Sequence, residues 1–312
     1  MSRASTFTLA PADDGVAVLV HRWEPAGGAP RAVVAIAHGL AEHAMRYARL
    51  AVALTAAGYA VYAHDHRGHG RTARGAADLG TFADADGWRR VVADVGRVLA
   101  RARGEHPGAP VVLFGHSMGS FVVQDYLCTY GATLAAAVLC GSSVAPDLPE
   151  LLALARSEHA RLGRRVPSPA LVAATFGGFN QAFQPSRTDF DWLSRDPAEV
   201  DAYVADPLCG FAATPCLWID ILEAAPALRD PARLARIPRD LPLYVMAGTA
   251  DPVNAGMTGL EHLLALYRAA GLRRVTTRFY EDARHEILNE TNRHTVTADL
   301  LAWLDEVVPA RT

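Results

Sequence analysis

The chain has 312 residues, of which 51% are hydrophobic and 20% charged, enough apolar material to bury a large globular core. Its 30 cationic side chains, every one an arginine, stand against 33 Asp and Glu, and the resulting net charge of -3 excludes a broad basic field for holding nucleic-acid phosphates. The longest apolar region, residues 111–144, is broken by His116, Asp125 and several glycines, which excludes a membrane span there.

Residues 1–15 carry Asp13 and Asp14 and no apolar run of signal length, so a cytoplasmic location is expected. Cys128, Cys140, Cys209 and Cys216 show neither metal-ligand spacing nor the density of a disulfide scaffold, and all four are expected to be reduced. Residues 16–20 read as a strand of an antiparallel hairpin, and the apolar run 32–37 ends at His38-Gly39. An amphipathic helix follows over 44–57, closed by Gly58, and then a strand over 60–63. The helix over 88–103 gathers Val91, Val92, Val95, Val98, Leu99 and Ala102 on one face, as a helix lying on a sheet does. The strand 111–114, the helix 120–130 and the strand 134–140 come next. Later elements are strands at 243–247 and 275–280 and helices at 260–270 and 296–307. Short continuous apolar strands alternating with helices predict an α/β fold, a mostly parallel sheet covered on both faces.

One interval breaks this rhythm. About a hundred residues separate Cys140 from Leu243, whereas a single crossover unit needs ~30. The surplus predicts an insertion, so the chain divides into a first core part (1–145), a mainly helical cap (146–228) and a second core part (229–312). An insertion after a central strand would lie over the carboxyl edge of the sheet, where sites of open parallel sheets lie. Its apolar side chains Phe176, Phe179, Phe183, Leu208, Phe211 and Trp218 are therefore candidates for substrate contact.

Gly115-His116-Ser117-Met118-Gly119 stands between the apolar strand 111–114 and the helix 120–130, the setting of a nucleophile elbow. A serine hydroxyl needs a base to take its proton and a third group to orient that base. His285 lies just beyond the strand ending at Tyr280, and Asp251 just beyond the strand 243–247, so three strand ends deliver a serine, an aspartate and a histidine to one edge. The chain order Ser117, Asp251, His285 is that of the α/β-hydrolase triad. Asp282, three residues from His285 on the same loop, is poorly placed to reach the imidazole, and His116 points away from the serine on the elbow. The oxyanion of an attacked ester would meet the backbone N–H of Met118 and that of Leu40, whose amide is free to turn inward behind Gly39. The histidine-rich run His64-Asp65-His66-Arg67-Gly68-His69 has the density of a zinc cluster but lacks a matching downstream His and Asp set. It is expected to be a structured loop flanking the active-site mouth, with no metal and no cofactor.

With these residues in view, the chain resembles the monoacylglycerol lipase and lysophospholipase-like branch of the α/β-hydrolases, grouped with the serine aminopeptidase-like hydrolases. The resemblance is carried by His38-Gly39-Leu40-Ala41-Glu42-His43 with Arg46-Tyr47, by Asp65-His66-Arg67-Gly68-His69-Gly70 and by the elbow. Gly248-Thr249-Ala250-Asp251, His285-Glu286, Ser194-Arg195-Asp196 and Asp206-Pro207-Leu208 extend it along nearly the whole chain. It implies an eight-stranded sheet with a helical cap, and a serine carboxylic-ester hydrolase acting on a small lipid-like acyl ester, with the cap touching a membrane surface transiently. It also implies catalytic roles for Ser117, Asp251 and His285 and oxyanion donors at Leu40 and Met118. Acyl transfer, or cleavage of amides and N-terminal peptides, would use the same triad. Two features depart from the family: Ser120 stands where a second glycine is usual, and residues 163–188 match nothing in its cap.

Overall fold

The computed structural model describes residues 3–308. Eight strands, β1 (Arg3–Thr8), β2 (Leu19–Glu24), β3 (Val33–Ala37), β4 (Ala60–His64), β5 (Val111–His116), β6 (Ala136–Cys140), β7 (Leu243–Gly248) and β8 (Val275–Tyr280), form one sheet in the order β1-β2-β4-β3-β5-β6-β7-β8. The β1–β2 and β2–β4 pairs are antiparallel and every other pair is parallel. The carboxyl ends of β3 to β8 therefore share one edge.

Ten helices are α1 (Ala48–Ala56), α2 (Gly87–Glu105), α3 (Met118–Tyr130), α4 (Pro149–Leu162), α5 (Pro169–Thr175), α6 (Pro197–Ala205), α7 (Pro215–Ala224), α8 (Pro231–Leu234), α9 (Thr258–Ala269) and α10 (Arg293–Val307). Side chains of a strand alternate between faces, so a strand buried on both must be apolar throughout. Leu113, Leu139 and Val245 accordingly pack with Val95 of α2, Val122 of α3 and Leu263 of α9. Phe114, Val138 and Met246 face the other way, onto Leu54 of α1 and Leu300 of α10. Each fully buried Val or Leu contributes about 1.5–3 kcal/mol relative to exposure, which makes these two layers the main source of stability.

Local boundaries differ from the sequence reading for tertiary reasons. The hairpin strand expected at 16–20 starts only at Leu19, because residues 12–16 form the turn, with Ala12 N–H donating to Val16 O. Its partner β1 is half exposed and too polar to stand out. The helix expected over 44–57 divides into a 3-10 turn, Ala44–Tyr47, and α1, because that turn is tied elsewhere: Asp65 accepts the Ala44 N–H and Glu42 accepts the Tyr47 hydroxyl. β6 begins two residues later than expected, after the 3-10 turn Gly131–Thr133.

Between β6 and β7 the chain runs through α4 to α8. Trp192, Leu193, Tyr203 and Cys209 form a small apolar cluster of their own there, with Phe176, Phe179, Phe183 and Phe190 packed against it.

Candidate active site

β5 ends at His116 and α3 begins at Met118, which leaves Ser117 alone to reverse the chain. Its backbone takes φ 50° and ψ -122°, a conformation that costs a non-glycine residue about 1–3 kcal/mol and persists only where the surroundings enforce it. Gly115 and Gly119 are required by close approach. A Cβ on Gly119 would collide with the carbonyl oxygens of Ala37 and His38, and one on Gly115 with Gly119 itself.

The loops after β7 and β8 bring Asp251 and His285 together, with His285 Nδ1 2.9 Å from Asp251 Oδ2 and both side chains buried. Asp251 Oδ1 accepts the Val253 N–H, so the carboxylate is held at both oxygens. With Nδ1 committed to Asp251, the ring nitrogen left free is Nε2. Burial opposes the charged imidazolium, but Asp251, through charge and hydrogen bond, with Glu286 and Glu42 behind it, outweighs burial and raises the pKa of His285 above 6.5. Asp282 is exposed, at φ 55°, with its N–H donated to Thr249 Oγ1. His116 is buried 4.7 Å from the His285 ring, centroid to centroid, and burial with the neighbouring His285 holds its pKa down to about 3.

The loop after β3 lies against the serine: a Cβ on Gly39 would stand 3.2 Å from Ser117 Cβ. Glu42 Oε1 accepts the Gly39 N–H at 2.5 Å and the Tyr47 hydroxyl at 2.7 Å. Arg46 joins this loop to the histidine loop, donating to Glu42 Oε2 at 3.1 Å and to both carboxylate oxygens of Glu286. Burial would raise the Glu286 carboxyl, but the Arg46 guanidinium holds it well below the usual carboxylate range. The inserted segment reaches the same loop, with Tyr203 OH and Gly210 N–H both donating to Ala41 O at 2.9 Å.

Ser117, His285, Gly39 and Leu40 line one cavity of about 380 Å³, within the range of small-molecule sites. Its wall is of mixed character: Val172, Phe176, Trp192, Leu193, Phe211 and Val253 are apolar, and Glu42, His116, Asn180, Asp189 and Glu286 are polar. Of the six candidate contacts read from the sequence, the structure brings Phe176 and Phe211 to this wall. The other four stand behind it: Phe179 packs against Phe176 and Trp192, Phe183 lies under the Arg284 guanidinium, and Trp218 packs on the outer side of Phe176. Leu208 sits in a turn whose N–H is held by Asp206 Oδ1. Trp192, outside those six, also lines the wall, two residues before the Ser194-Arg195-Asp196 run. Its ring lies 5.1 Å from that of His285, and its carbonyl accepts the His285 N–H.

Met118 opens α3, where first-turn amides have no intrahelical acceptor, and Leu40 faces the cavity. The histidine run does not flank the mouth. His64, His66 and His69 are buried, His66 and His69 against the His38 ring and His69 5.2 Å from the Phe211 ring, centroid to centroid, and burial holds His64 and His69 down to about 4. Among the described residues, two groups bring potential metal-donor atoms within 4.8 Å of one another: His43, Asp206 and Cys209, and Glu24, Glu105 and His106. In the first, His43 Nε2 lies 3.0 Å from Asp206 Oδ2, and in the second Glu105 carries the Arg22 guanidinium. The four cysteines are free and buried, and no helix among the described residues is long and apolar enough to cross a membrane.

Comparison with known proteins agrees with this geometry. Residues 28–292 match the family described as serine aminopeptidase, S33. A monoacylglycerol lipase of Mycolicibacterium smegmatis is 34% identical over 297 residues, 93% of each chain. A human monoglyceride lipase is 30% identical over 291 residues, covering 89% of this chain and 82% of that one. Among solved structures, a lipase in its open form superposes with a TM-score of 0.87 at 28% identity, over 98% of this chain and all (100%) of that one. A thermostable carboxyl esterase from Bacillus coagulans, in complex with glycerol, gives a TM-score of 0.87 at 26% identity over 98% and 99% of the two chains. The chain therefore belongs to the serine aminopeptidase, S33 family of α/β-hydrolases, on its monoacylglycerol lipase-like branch, and is a carboxylic-ester hydrolase.

Proposed function

We propose that the protein cleaves monoesters of a fatty acid with a small polar alcohol, monoacylglycerol-like or lysophospholipid-like, through an acyl-serine at Ser117. The observation that carries this reading is the cavity that Ser117 and His285 share: its aromatic and aliphatic lining suits an acyl chain, and its polar lining suits a small alcohol. The names of the relatives point the same way. In this reading residues 146–228 act as a cap that supplies apolar lining.

His285 Nε2 takes the Ser117 proton as Oγ attacks the ester carbonyl, and the Leu40 and Met118 N–H groups receive the oxyanion. The intermediate collapses, the alcohol leaves with the proton from Nε2, and the acyl chain stays on Oγ. Water then gives its proton to Nε2 and attacks the acyl carbon. The C–O bond to Ser117 breaks, Oγ regains the proton and the fatty acid departs. Asp251 keeps the Nδ1 proton in place and stabilises the imidazolium.

Only neutral imidazole can accept the proton, so kcat/KM is expected to rise with pH along a limb centred above 6.5, the direction in which His285 is shifted. A pH–rate profile on a soluble monoester checks this, and a rate unchanged down to pH ~4 would exclude His285 as the base.

A series of p-nitrophenyl esters tests the apolar lining. The rate should rise with chain length, and Phe176→Ala should lower kcat/KM for the longer esters about ten-fold while sparing acetate, as expected for losing about 1.4 kcal/mol of apolar contact. Release of fatty acid from monoacylglycerol should exceed hydrolysis of amino-acyl arylamides. A free amine would need an acidic partner: the Glu42 and Glu286 carboxylates are both committed to Arg46, and Asp189 in the cavity lining is the remaining carboxylate such a substrate would have to use.

A further inference from the structure

Each oxyanion donor assigned above is one half of a peptide group whose other half is a carbonyl. In a trans peptide the two point in opposite directions, so whatever holds the carbonyl aims the amide. The Met118 N–H shares its peptide with Ser117 O. That oxygen accepts the Ser120 N–H at 2.8 Å, an ordinary first-turn bond, and also the Ser120 hydroxyl at 2.6 Å. Ser120 occupies the position where the family it resembles usually has glycine, and a glycine could not make this second bond.

The hydroxyl is itself held. Ser142 Oγ lies 2.8 Å from Ser120 Oγ, and Gln124 Nε2 donates to Ser142 Oγ at 3.1 Å and to Ser143 O at 3.2 Å. A carbonyl can only accept, so the Ser120 proton points at Ser117 O and Ser142 must be the donor to Ser120. Every hydrogen then runs one way, from Gln124 through Ser142 and Ser120 to Ser117 O, and each bond polarises the next. All three side chains are buried.

The Leu40 peptide has a matching anchor. His38 Nδ1 lies 2.7 Å from Gly39 O, and His38 Nε2 accepts the His66 N–H at 2.9 Å. The accepting Nε2 fixes the proton on Nδ1, which donates to Gly39 O. Burial first, and then His66 and His69, keep this ring neutral, well below its ordinary value.

We propose that Ser120, backed by Ser142 and Gln124, and His38 are positioning residues that aim the Met118 and Leu40 N–H groups at the developing oxyanion. The proposal rests on the assignment of Ser117 as nucleophile. Ser120→Ala and His38→Gln in the full chain should each lower kcat about five- to twenty-fold, short of the ~100-fold or more that follows loss of an oxyanion donor. KM should stay within about two-fold, and Ki for an alkyl boronic acid, whose tetrahedral adduct places an oxygen in the hole, should rise by the same factor as kcat falls. An unchanged kcat and boronate Ki, with only a lower Tm, would overturn the proposal. If Ser120→Ala does not fold, Ser142→Ala reads the same relay one bond further out, with the same split between kcat and KM expected and an unchanged kcat again decisive against it. Ser117→Ala separates the two levels. Residual activity there would overturn the nucleophile assignment, whereas an inactive Ser117→Ala beside fully active positioning variants overturns this proposal alone.

Discussion

Ser117→Ala is expected to reduce kcat on a monoacyl ester by roughly 10⁶-fold, the scale seen when a triad nucleophile is lost, while thermal unfolding changes little. The reason is chemical: Ser117 is the one serine in the cavity lining, the Tyr203 hydroxyl there is donated to Ala41 O, and alanine leaves the base with nothing to deprotonate. It is also structural. Ser117 makes its polar contacts through its backbone, donating N–H to Cys140 O and accepting Ser120 N–H, and alanine keeps both. Ester turnover by purified wild type and variant, with circular dichroism to verify the fold, checks the result.

Asp251→Asn should lower kcat by about 10⁴-fold. Asp251 Oδ2 accepts from His285 Nδ1 at 2.9 Å, and an amide NH₂ turned to that position would force the proton onto Nε2, where it blocks the attack on Ser117. Asn can still accept the Val253 N–H as Oδ1 now does, so the loop after β7 is expected to survive. The charge that raises the His285 pKa is removed as well, so whatever activity remains should show a pH limb displaced downward from that of the wild type. Kinetics across pH on the variant measure both effects.

The three residues of the proposed triad are legible in the sequence because they sit where two simple patterns meet. β5, β7 and β8 each end in a loop on the same edge of a parallel sheet, and β5 and β7 are apolar enough to read as buried strands. β8 is half exposed, yet it ends at Tyr280, immediately before the loop that carries His285. Chain order then supplied the roles. The wall of the cavity was much less legible. Phe176 and Phe179 are three residues apart in sequence with the same chemistry, and only the local path of the chain after α5 turns one ring to the cavity and the other against Trp192.

The polar framework was legible as motif and opaque as function. Arg46, Glu42 and Glu286 lie on three stretches of sequence whose convergence is a tertiary fact, and the guanidinium that ties the oxyanion loop to the histidine loop leaves no periodic signal. By sequence alone the histidine run belongs at the mouth, because the strand before it ends on the same edge as β5, β7 and β8. It folds inward instead, because Asp65 accepts backbone N–H groups from Ala44 and Arg71, and His38 accepts that of His66. Ser120 stood out in the sequence as a departure from the family, and its purpose emerges only from the bond to Ser117 O.

The central claim is that Ser117 is a nucleophile activated by His285. A fluorophosphonate probe forms a stable adduct with an activated serine and with little else, so peptide mapping of the labelled full-length protein tests the claim most directly. One adduct per chain, on the peptide containing Ser117 and absent from Ser117→Ala, is the predicted result. No adduct on the folded protein, or equal labelling of wild type and Ser117→Ala, would contradict it.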